Sequence, residues 1–492
     1  MPMPPPERKR FWITGAVALK LSFFSFFLYE AHYNGYDRGG GLLYRVAGDT
    51  DSYISPAEHL LSSGEYVQDP ARPLTRAGRM PAYSLTYLLF RTVGSENAAK
   101  SMLALFQVLM SGVSTYFLSC LAMNLFGGAE AVFLSTFILY GLSTFVSHLD
   151  VLLLTESLST SSLIFAAYCL ERFKSRQRSR LLISGGAWLT YSIFLRPYVA
   201  VVLPLFASLT WVTSDGGKPS IPTLRRVLNT ALLALPFAVC DSAWVARNYL
   251  VFGKFVPSQI NILAGYQEPE THWAFLSLCQ ATGEDMVYWK PGTLSAWFFP
   301  QSRFPPHDYR PPPHVFTTDY DFAALDRIRG QYRHVLDQGK AGIGGTLDLS
   351  LARELNFFRD SYRRERPLEY YLLSRIRLTK ILLVHSGPQN MPFKPFGQLY
   401  LDPPAMLVKL LSIALYWVTL AGGFTAIVFL WRASPIELRL YLLVPIWVIF
   451  LLAFILRSTE EVYWTPVYPF MTMYAAAMFA AIQTQHAPPV NS

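Results

Sequence analysis

This chain is short of charge. Only 15% of its 492 residues are Asp, Glu, Lys or Arg, where a soluble domain carries about a quarter. Beside 52% hydrophobic and 15% aromatic residues, that shortage excludes an ordinary soluble enzyme, a disordered chain, collagen and a coiled coil. Cysteine is scarce too. Cys120, Cys169, Cys240 and Cys279 form no C-x-x-C pair, so neither a disulfide framework nor a zinc site is written here. Alternating apolar patterns are missing as well, which argues against a transmembrane β-barrel. The net charge of +9 points to no nucleic-acid partner, because many of the cations sit in short stretches between apolar runs.

What the chain does have is about ten apolar windows near the 17–25 residues that cross a bilayer as a helix. They fall near 11–29, 101–126, 131–146, 157–170, 181–195, 201–212, 227–243, 406–431, 440–456 and 466–482. The expected fold class is an all-α polytopic membrane protein with about ten transmembrane helices. Arg8, Lys9 and Arg10 precede the first window with no small-residue cleavage site after it, which reads as a retained signal anchor. The positive-inside bias then puts both termini in the cytoplasm. Arg172, Lys174, Arg176, Arg178 and Arg180, then Lys218, Arg225 and Arg226, then Arg432 and Arg439 fall in loops assigned to the same side. This divides the chain into an N-terminal transmembrane module (1–244), a long extracytoplasmic region (245–403) and C-terminal transmembrane helices (404–492), with a first outer loop at 31–97.

In that outer loop Tyr53, Ile54, Ala57, Leu60 and Leu61 share a helical face that Gly64 ends, and a second apolar stretch runs from Pro81 to Gly94. Both read as interfacial helices. Ser55-Pro56-Ala57-Glu58 has the form of a helix cap with a capping-box glutamate, with Asp51 or Ser52 as alternative caps. If Ser55 is the cap, Asp49 and Asp51 lie ahead of the helix, free for chemistry. Asp150 and Glu156 are further candidate acids between two windows. His59 reads as a solvated interfacial histidine, and His148 stands beside the acids. The region 245–403 shows only scattered helices, and its Trp273, Trp289 and Trp297 suit either sugar stacking or a membrane interface. Near its end Leu368, Tyr371, Leu372, Ile376 and Ile381 alternate with Arg363, Arg364, Arg366, Arg375, Arg377 and Lys380, the pattern of a basic interfacial helix.

Gly48-Asp49, Tyr53, Ala57, Leu60, Gly64 and Tyr66, followed by Arg79-Met80-Pro81-Ala82-Tyr83, resemble the first outer loop of the GT-C membrane glycosyltransferases. The branch is the bacterial relatives of protein O-mannosyltransferases and aminoarabinose transferases. Thr155-Glu156, Leu195-Arg196-Pro197 and Trp244-Val245-Ala246-Arg247-Asn248-Tyr249 continue the likeness, as does Glu461-Val462-Tyr463-Trp464-Thr465-Pro466-Val467-Tyr468-Pro469. Ala82, Ser84 and Val462 depart from it, the last replacing an arginine.

The resemblance implies inverting transfer of a sugar from a polyprenyl-phosphate donor to a hydroxyl of a lipid, glycan or protein acceptor. It places the site on the outer face of a bacterial inner membrane. A base must take the acceptor proton, and cations must stabilise the leaving phosphate. By the family pattern Asp49 is the base, Asp51, Asp150 and Glu156 are further acids, and Arg76, Arg79, Arg247 and Tyr463 meet the donor phosphate. A divalent metal ion on such carboxylates fits the spacing no better and no worse than none. A transporter or flippase, or a non-catalytic binder of lipid-linked sugars, is the alternative. Charges lying mostly near window ends, with no internal repeat, weigh against ion-coupled transport.

Overall fold

The computed structural model describes residues 6–36, 41–212, 222–259, 268–290, 292–300, 309–385, 391–394, 396–458 and 460–486; Lys218 lies outside them. Among the described residues the fold is helical, with one isolated parallel bridge between Arg45 and Leu152. The chain forms two units, one of Met1–Ile262, Ser386–Val448 and Thr465–Ser492, the other of Leu263–His385 and Ile449–Trp464.

The first unit opens with α1 (Pro6–Tyr33) and two short helices, α2 (Thr50–Ser63) and α3 (Ala82–Arg91). The long α4 (Glu96–Leu125) follows, its first turn capped by Ser95. Then come α5 (Glu130–Gly141), α6 (Thr144–Ser147), α7 (Glu156–Arg176), α8 (Ser179–Leu195), α9 (Leu203–Val212) and α10 (Thr223–Phe252). The second unit holds α11 (Glu270–Thr282), α12 (Leu294–Phe298), α13 (Phe322–Asp337), α14 (Thr346–Glu365) and α15 (Ser374–Leu383). The chain closes with α16 (Pro403–Ala433), α17 (Ile436–Phe450) and α18 (Tyr468–His486).

Six helices are long and apolar enough to cross a membrane: Arg8–Tyr33, Glu96–Leu125, Thr223–Val251, Pro403–Arg432, Ile436–Leu456 and Glu461–Ile482. The protein is therefore an integral membrane protein with six such helices among the described residues, not the ten expected. The windows at 131–146, 157–170, 181–195 and 201–212 are largely helical but shorter or more polar. The reason is clearest in α7. Ser157, Ser159, Thr160, Ser161 and Ser162 dilute its hydropathy, yet the helix is buried from Glu156 to Ala167. Its hydroxyls are satisfied within the bundle: Thr160 donates to the Glu156 carbonyl and Ser162 to that of Leu158 (both 2.7 Å), while Ser159 and Ser192 of α8 bond at 2.9 Å. Small hydroxylated faces let helices approach closely where water cannot help. Gly186 does the same on α8, since a Cβ there would stand 2.1 Å from the Leu233 carbonyl oxygen of α10.

The expected cap at Ser55 is not formed. Helix α2 starts at Thr50 with Asp49 at its N-cap position, and Pro56 lies inside it. Proline removes one intrahelical bond, but Tyr53, Ile54 and Ala57 on both sides of it are buried and hold the helix together. Glu58, the supposed capping-box residue, instead accepts from the Tyr87 hydroxyl and from Arg91 Nε (2.9 Å), both on α3. Gly64 ends α2 as expected, with φ +75 and its N–H on the Leu60 carbonyl at 3.1 Å.

The second unit is a packed helical body where scattered helices were expected. Phe275 and Leu278 of α11, Leu325, Ile328, Tyr332 and Val335 of α13, and Leu351, Leu355 and Phe358 of α14 make its core. Asp348 ties the start of α14 to α11, accepting from the backbone N–H of Glu270 (2.9 Å), Thr271 (2.8 Å) and Gly344 (2.8 Å). Although burial opposes it, these donors hold the carboxyl below the ordinary carboxylate range.

Candidate active site

Segment 45–50 and segment 151–153 are stitched together. The Arg45 N–H donates to the Val151 carbonyl (2.8 Å), the Leu153 N–H to that of Arg45 (3.0 Å), and the Thr50 hydroxyl to that of Leu153 (3.1 Å). Gln107 of α4 holds the same strip from below, its amide donating to the Asp150 and Leu152 carbonyls at 3.1 and 2.8 Å. The two outer segments singled out from the sequence thus form one piece of structure.

Asp49 stands at its edge, 62% exposed, with Oδ2 3.0 Å from Nη2 of Arg79, which is only 11% exposed. Arg79 is fixed from three sides: Nε donates to Ser52 Oγ and Nη1 to the Tyr53 hydroxyl, both at 2.9 Å, and the guanidinium lies 4.1 Å from the centre of the Tyr53 ring. Ser84 donates to the Tyr53 carbonyl (2.6 Å) and bonds to the Tyr66 hydroxyl (3.1 Å). Burial pushes the Tyr66 hydroxyl up to about 12, against the pull of Ser84, Arg247 and Arg79. An ion pair with one partner this exposed contributes about 0–1 kcal/mol to stability. Its geometric effect is larger, because a rigid arginine aims a solvent-facing carboxylate. Asp51, in the first turn of α2, is exposed and outside this network.

The other predicted acids are enclosed. Glu156 is buried and paired with Arg196, so the Thr155-Glu156 and Leu195-Arg196-Pro197 motifs meet. Asp150 is fully buried and accepts from the Ser157 hydroxyl at 2.5 Å. Burial raises its carboxyl to about 6, opposed by the nearby Lys20 ammonium and the Ser157 hydroxyl. Lys20, unremarked in the sequence, lies buried within the first span and donates to the Tyr140 carbonyl (3.1 Å) and Ser147 Oγ (2.8 Å). A lone lysine among apolar residues was the signal that could have found it. His148 is buried as well, and that burial lowers its imidazole to about 3. His59, expected to be solvated, is tied by Nδ1 to the Val67 carbonyl at 2.7 Å.

Of the predicted phosphate-binding residues, Arg76 pairs with Glu65 at 2.6 Å. Arg247 donates to the carbonyls of Arg76 (2.6 Å) and Tyr66 (2.8 Å) and to Asn248 Oδ1 (2.9 Å), so it clamps the backbone of the outer loop. Tyr463 belongs to the second unit, in the turn Glu461–Val467, where Glu461 lies 3.8 Å from His385. Of the tryptophans, Trp297 is buried in the second unit's core under Arg329, Trp289 is half-exposed and Trp273 half-buried. Among the described residues no three His, Cys, Asp or Glu side chains gather to hold a metal ion.

Just after Arg79, helix α3 borders an apolar cavity of about 190 Å³ lined by Ala82 of α3, Ala187, Thr190, Tyr191 and Phe194 of α8, and Pro236 and Cys240 of α10. A polar, cation-braced carboxylate and an apolar slot therefore lie at the two ends of one short stretch of chain. Comparison of the chain with family models, with curated proteins and with solved structures finds no match.

Proposed function

We propose that this protein is a GT-C type membrane glycosyltransferase that moves a sugar from a polyprenyl-phosphate carrier to a hydroxyl of a lipid, glycan or protein acceptor. The site faces the exterior of a bacterial inner membrane, with both termini cytoplasmic. The observation that carries the reading is Asp49, a solvent-facing carboxylate held by an arginine that is only 11% exposed. The acceptor oxygen attacks the anomeric carbon as Asp49 takes its proton, and the bond to the carrier phosphate breaks with its electron pair leaving on the phosphate. Arg79 has N–H bonds on Nη1 and Nη2 beyond those engaged, and the charge that develops on the leaving phosphate is what such donors stabilise best. Arg76 serves there by exchanging Glu65 for phosphate, and Arg247 acts by holding the loop that carries Arg76. The cavity beside α3 takes the first part of the prenyl chain.

The test is release of polyprenyl phosphate from a panel of polyprenyl-phosphate sugars by the purified protein in lipid, with membrane extract as acceptor source. Turnover by the wild type and none by Asp49→Asn is the expected result. One observation favours a second reading. Lys20 buried within a span beside Asp150 is the kind of intramembrane charge that transporters use. A flippase for lipid-linked sugars moves the carrier across vesicles without releasing polyprenyl phosphate, and Asp49→Asn leaves that movement intact.

A further inference from the structure

The exposed face of the segment from Leu368 to Val384, helical as far as Leu383, belongs neither to the candidate site nor to the second unit's core. Leu368, Leu372, Ile376 and Val384 recur at four- or eight-residue steps and stand 63%, 45%, 52% and 48% exposed, with Lys380 in the same row. The opposite side, with Tyr370, Leu378 and Leu382, is buried. Residues 363–384 carry six cations against two carboxylates. Three of the six have partners within the fold: Arg363 donates to the Tyr371 hydroxyl (2.6 Å), Arg375 to the Gln280 carbonyl (3.3 Å), and Arg377 to that of Thr282 (3.0 Å) while pairing with Glu369. Lys380 is exposed within the row, the exposed Arg363 and Arg364 precede it in the last turn of α14, and Arg363 stands 5.5 Å from the ring centre of the exposed Tyr371.

The buried side of the helix sets the level at which this row stands. Within the same unit, the helix packs against the turn Leu451–Leu456, the end of the apolar span Ile436–Leu456. Arg457, the next residue, lies 5.2 Å from the Tyr370 ring centre and donates to its hydroxyl at 3.4 Å. Ile455 and Leu456 are exposed beside it. The cation-edged apolar face therefore sits where the chain leaves a membrane-crossing helix, the level of lipid headgroups. An apolar row flanked by cations and an exposed tyrosine suits that layer, the row entering the acyl boundary and the cations meeting phosphate.

We propose that the 368–384 face docks on the anionic phospholipid headgroups of the bilayer in which the protein is embedded. The test places an environment-sensitive fluorophore on the full-length protein, in a Cys240→Ser background, at Leu372→Cys or Ile376→Cys, with Asp337→Cys as a water-exposed control. The proteins are reconstituted in vesicles of phosphatidylglycerol mixed with phosphatidylcholine, or of phosphatidylcholine alone, with doxyl-labelled lipid as quencher. Blue-shifted emission and doxyl quenching at 372 and 376 but not at 337 are expected. Arg364→Glu with Lys380→Glu should weaken docking by about five-fold for each cation replaced, and vesicles without phosphatidylglycerol should weaken it to a similar degree. The same water-like emission at 372, 376 and 337 overturns the proposal. So does emission that is blue-shifted without doxyl quenching and rises with protein density, which assigns the face to a second copy of the chain. Equal quenching in both lipids refutes the anionic requirement.

Discussion

Asp49 and Asp51 stand in solvent at the head of α2, whereas Asp150 and Glu156 are enclosed at the head of α7, although the two segments are bonded to each other. Glu156 is neutralised by Arg196, and Asp150 is offset by Lys20 and Ser157. Four carboxylates that read alike in sequence therefore separate into an exposed pair and an enclosed pair with partners inside the bundle. An exposed carboxylate keeps its capacity to accept a proton from an incoming group, while a buried one is engaged in satisfying its own charge.

If that division is right, the largest effect falls on turnover. Asp49→Asn should lower kcat by about 10²–10⁴-fold with an unchanged melting temperature. Breaking the buried pair should act the other way. Glu156→Ala or Arg196→Ala should cost about 3–5 kcal/mol in stability, read as a loss of melting temperature in detergent. Replacing both by Met and Leu should restore most of it, and if the double variant is folded yet inactive, Glu156 belongs with Asp49 and the comparison breaks.

Asp150 gives a pH test. Its carboxyl is raised to about 6 when folded and titrates near 3.9 when unfolded, so between these values the folded state binds more protons. The contribution of Asp150 is thus most favourable below about pH 4 and falls by about 3 kcal/mol as pH rises through 6. Denaturation curves of the wild type and Asp150→Asn should diverge over that window, with the wild type losing ground as pH rises, and parallel curves contradict the assignment. Filling the cavity by Ala187→Phe should raise KM for a long-chain donor by about ten-fold, the scale of an apolar group in a pocket, and leave a short-chain analogue unaffected. The smallest effect is expected at Asp51→Asn, within about two-fold in every assay.

Composition made the membrane class legible, and Gly64 and Pro81 marked the end of α2 and the start of α3. The window at 157–170 read as a span, yet the hydroxyls of Ser157, Ser159, Thr160, Ser161 and Ser162 leave α7 short of the apolarity of the six membrane-crossing helices. The signal at Ser55 misled also, because a cap pattern cannot reveal that Tyr53, Ile54 and Ala57 pack tightly enough to carry the helix through Pro56. The second unit was legible and overlooked: Leu325, Ile328, Tyr332 and Val335, then Leu351, Leu355, Phe358 and Tyr362, keep helical spacing throughout. The Glu156–Arg196 pair spans forty positions, and no local pattern announces it.

The most direct measurement is kcat and donor Kd side by side for wild type, Asp49→Asn and Asp51→Asn with one polyprenyl-phosphate sugar in lipid. The account predicts that Asp49→Asn binds the donor as the wild type does and releases no polyprenyl phosphate, while Asp51→Asn turns over normally. Undiminished turnover in Asp49→Asn, or loss confined to Asp51→Asn, contradicts it.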